Sequence, residues 1–509
     1  MIPDNLDCAE CSAGVRRGVA RWLPVPRRWL MWISLGLFLR LLFIVFPRPV
    51  DDDTWDYLEL GRNLLQHGIY GMGVAPNISQ SLFRLPGYPL FLATCEAIFG
   101  HLLHGAWFNA VFVIQAFADL AAGVLLAAFA RRDLSPRAAE ITLALAMLCP
   151  FTAAYAGIAM TECLSVFAVA LALYASSRAL GSELRGARDS WALLLAGLAA
   201  ALGMLLRPDG VVLFAVLAAG LFGYTFRVHA ARAGTRSAVR RAVVATGFFL
   251  AAALLPMSPW TIRNWTAFHV FQPLAPRHLE DPGERANLGF YRWLRTWSEE
   301  YVTTADVFWA VGTDPIDFDH LPPRAIDSPE ERAQTLQLIS EYNLKKSISA
   351  ELDQRFAALA EERIRANPLR YYIELPLVRV TDMIFRPRTE EFYLDVYWWQ
   401  WSNHPSQTMW ATLLGVINLF YVVCAVWAFA RGRVPWAWIL GGYLLLRCLL
   451  LGTMENPEPR YTIMCFPIFI IATAAALGRT VETKTMTEPL QTDSRALADE
   501  STSFHRLVR

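Results

Sequence analysis

Lysine is almost missing from this chain. Only Lys345, Lys346 and Lys484 are present among 46 basic residues, so arginine carries the positive charge. Cysteine offers no disulfide framework: six of the eight lie in apolar runs, and the long polar stretch 267–406 has none. Cys8-Ala-Glu-Cys11 lacks a second pair or a nearby histidine cluster, which argues against a redox or metal role. No internal repeat is found, whereas transporters tend to carry one. The first apolar run is too long for a cleavable signal and has no small-residue cleavage pattern.

What the chain does have is apolar length. Of 509 residues, 55% are hydrophobic and 18 are tryptophan, with mean hydropathy +0.32, a combination ordinary soluble domains do not show. Ten stretches approach or exceed the length that crosses a bilayer: 29–47, 105–130, 138–157, 161–178, 190–206, 209–228, 242–266, 407–430, 434–452 and 460–478. The prediction is an all-α polytopic membrane protein with about ten transmembrane helices, interfacial helices in the first outer loop and a long extracytoplasmic segment.

A net charge of +1 hides an asymmetry. Arg16, Arg17, Arg21, Arg27 and Arg28 precede the first span; Arg131, Arg132 and Arg137 follow the second; Arg178, Arg185 and Arg188 follow the fourth. Arg227, Arg232, Arg236, Arg240 and Arg241 follow the sixth, and Arg431 and Arg433 the eighth. With ten spans these loops share one side, which the positive-inside rule makes cytoplasmic. The chain then divides into a cytoplasmic basic N-terminus (1–28), an N-terminal transmembrane module (29–266) with first outer loop 48–104, an extracytoplasmic or interfacial segment (267–406), C-terminal transmembrane helices (407–478) and a disordered cytoplasmic tail (479–509). The location expected is the cell membrane, with both termini inside. Membrane lipid is the expected surrounding partner, and no nucleic-acid partner is expected.

Within the first outer loop an acidic cluster, Asp51, Asp52 and Asp53, follows the first span. A short amphipathic helix is predicted over 54–67, stopped by Gly68. Gly68–Ser81 reads as loop, and 86–100 as an interfacial or partly inserted helix. In the outer segment, 329–366 reads as one long helix ending at Asn367-Pro368, 371–384 as an interfacial helix, and the aromatic run 393–401 as an interfacial anchor.

Ionisable residues that abut apolar spans gather at the same outer face: Asp52 and Asp53, Glu162, Arg207 and Asp209, Arg263, and Glu455, Glu458 and Arg460. Acid beside a membrane is costly unless it meets water or a partner. Arginine suits phosphate, and a carboxylate among arginines can serve as a general base. Together with a lipid-accessible wall, this set suits a substrate with an anionic head and a hydrocarbon tail. Each residue also has a plainer use. Asp53 or Thr54 can cap the following helix, Arg84 can snorkel to headgroups, Arg207-Pro-Asp-Gly210 makes a good turn, and Glu162 suits a helix start. Asp314, Asp317, Asp319 and His320 superficially resemble metal ligands but sit in a proline-flanked polar loop. No metal set and no cofactor is indicated.

Asp53-Thr-Trp-Asp-Tyr57 with the following Leu-Glu-Leu-Gly-Arg-Asn-Leu resembles the first-loop motif of GT-C membrane glycosyltransferases. It is most similar to the protein O-mannosyltransferase and lipid A aminoarabinose transferase superfamily. Arg84-Leu-Pro-Gly-Tyr-Pro-Leu-Phe-Leu92, Leu206-Arg-Pro-Asp-Gly210, Pro259-Trp-Thr-Ile-Arg-Asn-Trp265 and Glu458-Pro-Arg-Tyr461 resemble the landmarks that complete and follow it, so the likeness spans 29–478. The resemblance implies a polyprenyl-phosphate sugar donor, an acceptor that is lipid, glycan or protein, and inverting transfer at the extracytoplasmic face. It makes Asp53 the catalytic base, with Asp52 the second candidate. Arg84, Arg263 and Arg460 become ligands of the donor phosphate, and Tyr57, Tyr88, Glu162, Arg207 and Asp209 substrate-binding residues. The chain departs from the pattern at Thr54, where many relatives carry a second acid; here that acid, Asp52, comes first. Aminoarabinose transferases tend to carry glutamate then lysine near Arg84, so neither sugar nor acceptor carries over. A polytopic transporter or flippase of a lipid-linked or anionic substrate is the alternative, and a non-catalytic scaffold on the same fold a third reading.

Overall fold

The computed structural model describes residues 26–46, 52–103, 106–180, 187–278 and 280–478. The expectations for the basic N-terminus, Cys8 and Cys11, Asp51 and the tail 479–509 lie outside the described residues, as does the side chain of Asp52. The described chain is almost entirely helical: α1 (Arg27–Val45), α2 (Asp52–His67), α3 (Gly87–Phe99), α4 (Trp107–Asp133), α5 (Pro136–Leu148), α6 (Pro150–Ala154), α7 (Glu162–Leu180), α8 (Ala187–Leu206), α9 (Gly210–Ala233), α10 (Thr235–Leu254) and α11 (Ser258–Phe268) come first. The outer segment adds α12 (Leu288–Leu294), the single-turn α13 (Tyr301–Thr303), α14 (Pro329–Lys345), α15 (Ala350–Ala366) and α16 (Leu375–Phe385). Then come α17 (Pro405–Ala430), α18 (Ala437–Gly452) and α19 (Phe466–Leu477), the last preceded by a 3-10 stretch, Pro459–Cys465.

All ten predicted spans coincide with helical segments. Seven are long and apolar enough to cross a membrane: Arg27–Val45, Trp107–Asp133, Glu162–Leu180, Gly210–Ala231, Thr235–Phe268, Pro405–Ala430 and Pro459–Leu477. The other three are shorter or broken. The helices at 190–206 and 434–452 are apolar but shorter. The 138–157 stretch is bent by 45° between Pro136–Leu148 and Pro150–Gly157, because Pro150 has no N–H to continue the α5 ladder.

The break at Pro150 leaves carbonyls at the end of α5 without a helical donor. Arg40 of α1, fully buried, takes them: its Nη1 donates to Met147 O at 2.6 Å and its Nη2 to Ala146 O at 3.1 Å. Asp119 of α4 balances the charge, receiving Nη2 at 2.5 Å and Nε at 2.9 Å. Beyond the break, Gln115 of α4 donates to the carbonyls of Tyr155 (3.0 Å) and Ile158 (2.8 Å). The carbonyls on either side of the break are thus held by polar side chains from α1 and α4.

At the centre of the bundle lie α7 and the Pro459–Leu477 helix, each with 83% of its apolar window buried, while α1 is peripheral at 17%. A run of small residues on α7, Ala168, Ala170, Ala172 and Ala175, lets neighbouring helices approach closely.

The 267–406 segment has its own apolar core of Phe290, Trp293, Trp297, Leu338, Tyr342 and Phe356. The single helix expected over 329–366 is two helices. Lys346 takes a left-handed conformation (φ 49°) that ends α14, and the Ser349 hydroxyl accepts from Leu352 N to start α15. Gly68–Ser81 also differs from the plain loop expected, since it holds a two-stranded antiparallel ladder, β1 (Gly71–Met72) with β2 (Ser79–Gln80). The predicted surface helix forms as α2, and Gly68 stops it with φ 70°.

Candidate active site

The site assembles where helix ends meet. Asp53 lies in the first turn of α2, and its neighbour Thr54 donates to Ala159 O at 3.0 Å, tying α2 to the linker into α7. The Asp53 carboxylate goes to arginine and the Thr54 hydroxyl to the linker into α7. Arg84 reaches back from the turn before α3 and places Nη2 2.5 Å from Asp53 Oδ1 and 2.8 Å from Asp56 Oδ2. Its side chain is 15% exposed, so it is an ion-pair partner and not a snorkelling surface residue. From the opposite side Arg460 brings Nη1 3.0 Å from Asp53 Oδ2. Arg460 is held through Nε by Glu458, whose Oε1 accepts from Tyr461 Oη at 2.8 Å and from Asn456 Nδ2 at 3.0 Å.

Beside this cluster runs a second ionic chain. Glu162, fully buried at the start of α7, accepts Arg207 Nη1 at 2.6 Å. Arg207 Nε lies 3.4 Å from Asp209 Oδ1, and Asp209 Oδ2 accepts Arg447 Nη2 at 2.7 Å. The expected turn is formed as well, with Gly210 N donating to Arg207 O at 3.0 Å. Tyr461 joins the clusters: its ring lies 5.5 Å from the Arg207 guanidinium carbon and 5.5 Å from that of Arg460.

The electrostatics separate the carboxylates. Burial pushes Asp53 up, but Arg460 and Arg84 outweigh it and hold the carboxyl below its ordinary value. Asp209 is held low in the same way by Arg447 and Arg207 against burial. Burial wins at Asp56 and Glu458, which are both raised despite their arginine partners. Tyr57, buried beneath Arg84 with the guanidinium 5.4 Å from its ring, is raised by burial and by Asp53. Asp53 is therefore a carboxylate kept ionised between two cations.

Not every predicted site residue joins. Tyr88 is fully buried, edge-on to Tyr57 at 5.1 Å, and its hydroxyl donates to Gln115 Oε1 at 2.6 Å, which makes it part of the packing beneath α2. Arg263 lies elsewhere: it donates to the carbonyls of Ser81 and Tyr70, both at 2.7 Å, and stacks among Tyr70, Trp260 and Phe268. Its fork is occupied bracing the hairpin loop against α11. Asp317 and His320 pair with each other in an exposed loop at 2.7 Å. Among the described residues no group of three or more His, Cys, Asp or Glu is arranged to hold a metal ion.

The sequence reading missed Asp56, Arg447 and the Arg40–Asp119 pair. Arg447 carried a usable signal, a lone arginine in the apolar run Leu444-Leu-Leu-Arg-Cys-Leu-Leu450. Asp119 likewise interrupts an alanine-rich span. Asp56 carried none, because an acid on a polar surface helix needs no partner.

The chain aligns with solved structures at low identity and with TM-scores below 0.5. An archaeal oligosaccharyltransferase from Archaeoglobus fulgidus, solved with an inhibitory peptide and a dolichol-phosphate, aligns at TM-score 0.48 and 14% identity over 94% of this chain and 51% of that one. The same enzyme tethered to an acceptor peptide with an NVT sequon aligns at 0.49 and 14% over 88% and 49%. ArnT from Cupriavidus metallidurans bound to undecaprenyl phosphate aligns at 0.37 and 14% over 88% of this chain and 76% of that one. The chain spans about half the length of the oligosaccharyltransferase. No curated protein matches it by sequence. Residues 86–262 match the family model described as dolichyl-phosphate-mannose-protein mannosyltransferase, so the resemblance to GT-C membrane glycosyltransferases read from the motifs is met by an independent match over that segment.

Proposed function

We propose that the chain is an inverting membrane glycosyltransferase. It takes a sugar from a polyprenyl-phosphate donor and passes it to a hydroxyl of a lipid, glycan or protein acceptor at the extracytoplasmic face. The observation that carries this reading is Asp53 held between Arg84 and Arg460 where the helix ends converge. One carboxylate flanked by two forked cations supplies both halves of the chemistry. Asp53 accepts the acceptor's hydroxyl proton as the acceptor oxygen bonds to the anomeric carbon. The bond from that carbon to the phosphate oxygen breaks, and its electron pair stays on the departing polyprenyl phosphate. Arg84 and Arg460 stabilise the charge developing there. Glu162, Arg207 and Asp209, beside Asp53, are the residues for sugar and acceptor contacts, and Asp52, one residue earlier, is the alternative base. The mannosyltransferase-family match supports this reading.

The test is turnover of a panel of polyprenyl-phosphate sugars by protein in lipid, with membrane extract as acceptor, comparing wild type, Asp53→Asn and Asp52→Asn. Loss in Asp53→Asn alone supports the assignment, and loss only in Asp52→Asn moves the base by one residue. No turnover of any donor by folded wild type overturns the enzyme and favours the transporter reading.

A further inference from the structure

A flexible side chain such as Arg460 needs a fixed backbone if it is to meet Asp53 in one geometry. That backbone is the start of a 3-10 stretch, Pro459–Cys465, whose carbonyls lack the regular α-helical partners. Arg388, in the turn after α16, takes up this region. Its Nη1 donates to Pro459 O at 2.9 Å, its Nη2 donates to Thr462 Oγ1, and its Nε lies 3.4 Å from Asn418 Oδ1. The guanidinium is fully buried, 4.8 Å from the Phe466 ring centroid and 5.8 Å from that of Phe151. The donors thus grip the peptide immediately before Arg460 and a side chain two residues after it. Among the described residues all these partners are neutral. A buried cation held only by neutral groups is costly, so its stabilising role alone is a weak reason for an arginine there.

We infer that Arg388 is a positioning residue for catalysis: by holding the carbonyl of Pro459 and the hydroxyl of Thr462 at once, it sets the backbone from which Arg460 reaches Asp53. This rests on the reading above, in which Arg460 and Asp53 act together on donor and acceptor. The planar fork is what the geometry uses, because two acceptors on one short turn are met by two N–H groups of fixed separation. Lysine offers a compact ammonium on a flexible stem and lacks the planar fork that meets both acceptors in one fixed geometry. Three further arginines brace the chain just upstream. Arg277 donates to Thr453 O at 2.6 Å, Arg295 to the same carbonyl at 3.5 Å, and Arg379 to Gly452 O at 3.2 Å. Of these four, Arg388 alone touches the turn that carries Arg460, which Arg447 also holds through Tyr461 O at 2.6 Å.

The consequence reaches Asp53 through charge. Asp53 faces Arg84 from the turn before α3, Asp56 and Tyr57 from α2, and Arg460 and Glu458 from the α18–α19 connection. Displacing Arg460 removes one of the two cations that keep the base ionised, so the base is protonated at a higher pH.

The experiment compares Arg388→Lys and Arg388→Gln with wild type, following kcat, KM for a polyprenyl-phosphate sugar, the acid limb of kcat/KM and thermal unfolding in lipid. The expected result for Arg388→Lys is a roughly 10- to 100-fold loss of kcat. It is accompanied by a rise of about one pH unit in the acid limb and little change in unfolding temperature, with Arg388→Gln at least as impaired. If either variant fails to fold, Thr462→Val takes its place, removing one of the two acceptors at constant shape, and the same shift of the limb is expected. A loss of activity that tracks stability with the limb unmoved makes Arg388 merely structural and overturns the proposal, as does an Arg388→Lys enzyme with wild-type kinetics. Wild type that turns over no donor overturns the glycosyltransferase reading itself, and that result is distinct from both.

Discussion

At the scale of single residues the central observation is a buried carboxylate bound by two arginines, the proposed base of the site. Asp53 is paired with Arg84 and Arg460, and their fields hold it below the ordinary carboxylate value despite its burial. Replacing it with asparagine keeps size and one acceptor oxygen but removes the proton acceptor. A loss of roughly 10²–10⁴ in kcat/KM is expected, with unfolding temperature close to wild type; an unaffected enzyme excludes Asp53 as the base. The arginine pairing adds a pH signature. A base works deprotonated, so activity falls as pH drops through its pKa, and a depressed pKa places that fall below the ordinary carboxylate range. On the proposed function, a donor phosphate entering the site competes for the same two guanidinium groups and so relieves their hold on Asp53. The acid limb of kcat, which reports the donor complex, should therefore lie at higher pH than the limb of kcat/KM, which reports the free enzyme. Coincident limbs mean that the arginines stay on Asp53 when donor binds.

At the scale of elements the broken helix α5–α6 stands out. Its Pro150 break is held by Arg40, and Arg40 is balanced by Asp119, with side-chain exposures of 1% and 3%. Asp119→Asn leaves a buried guanidinium without its counter-charge, a change that costs about 3–5 kcal/mol and should appear as a large drop in unfolding temperature. The double variant Arg40→Met with Asp119→Leu removes both charges, yet it also strips the donors from Ala146 and Met147, so it should recover stability only in part. Full recovery means that the arginine's bonds to the break contribute nothing. The same element shows where the sequence was readable. Asp53, Glu162, Arg207 and Arg460 could be singled out because each abuts an apolar run, where a charge is conspicuous and demands a reason. The break itself was written in Pro150, but it fell inside a run whose length and hydropathy fit a straight span. That Arg40 would meet Asp119, 79 positions away, depends on which helices pack together, and periodicity in a uniformly apolar helix does not encode that. Arg263 shows the opposite limit. Its position at a helix end fitted the pattern of a site residue, and only its contacts with Tyr70 and Ser81 show that its hydrogen bonds are spent on the first loop.

For the whole molecule the question is which side of the membrane the site faces. The helix ends that carry Asp53, Glu162, Asp209 and Arg460 are joined by direct side-chain contacts, so they share one face. The outer segment docks on that face through Arg277, Arg295 and Arg379 at the end of α18. Arginine marks the other ends: Arg131 and Arg132 close α4, and Arg431 and Arg433 follow α17. An excess of arginine in short loops stays on the cytoplasmic side during insertion, which predicts that Asp53 and the 267–406 segment lie outside. A cysteine-free variant isolates the test from the native thiols. Leu344→Cys, at a position 86% exposed on the outer segment, should react with a membrane-impermeant maleimide on intact cells. Arg431→Cys, exposed after α17, should react only once the membrane is opened. The reverse pattern would turn the protein over and place the donor's use at the cytoplasmic face. Asp53 would keep its arginines in that case, but the acceptor would have to be sought among molecules of the cell interior, because the face that binds the outer segment fixes which compartment supplies the attacking hydroxyl.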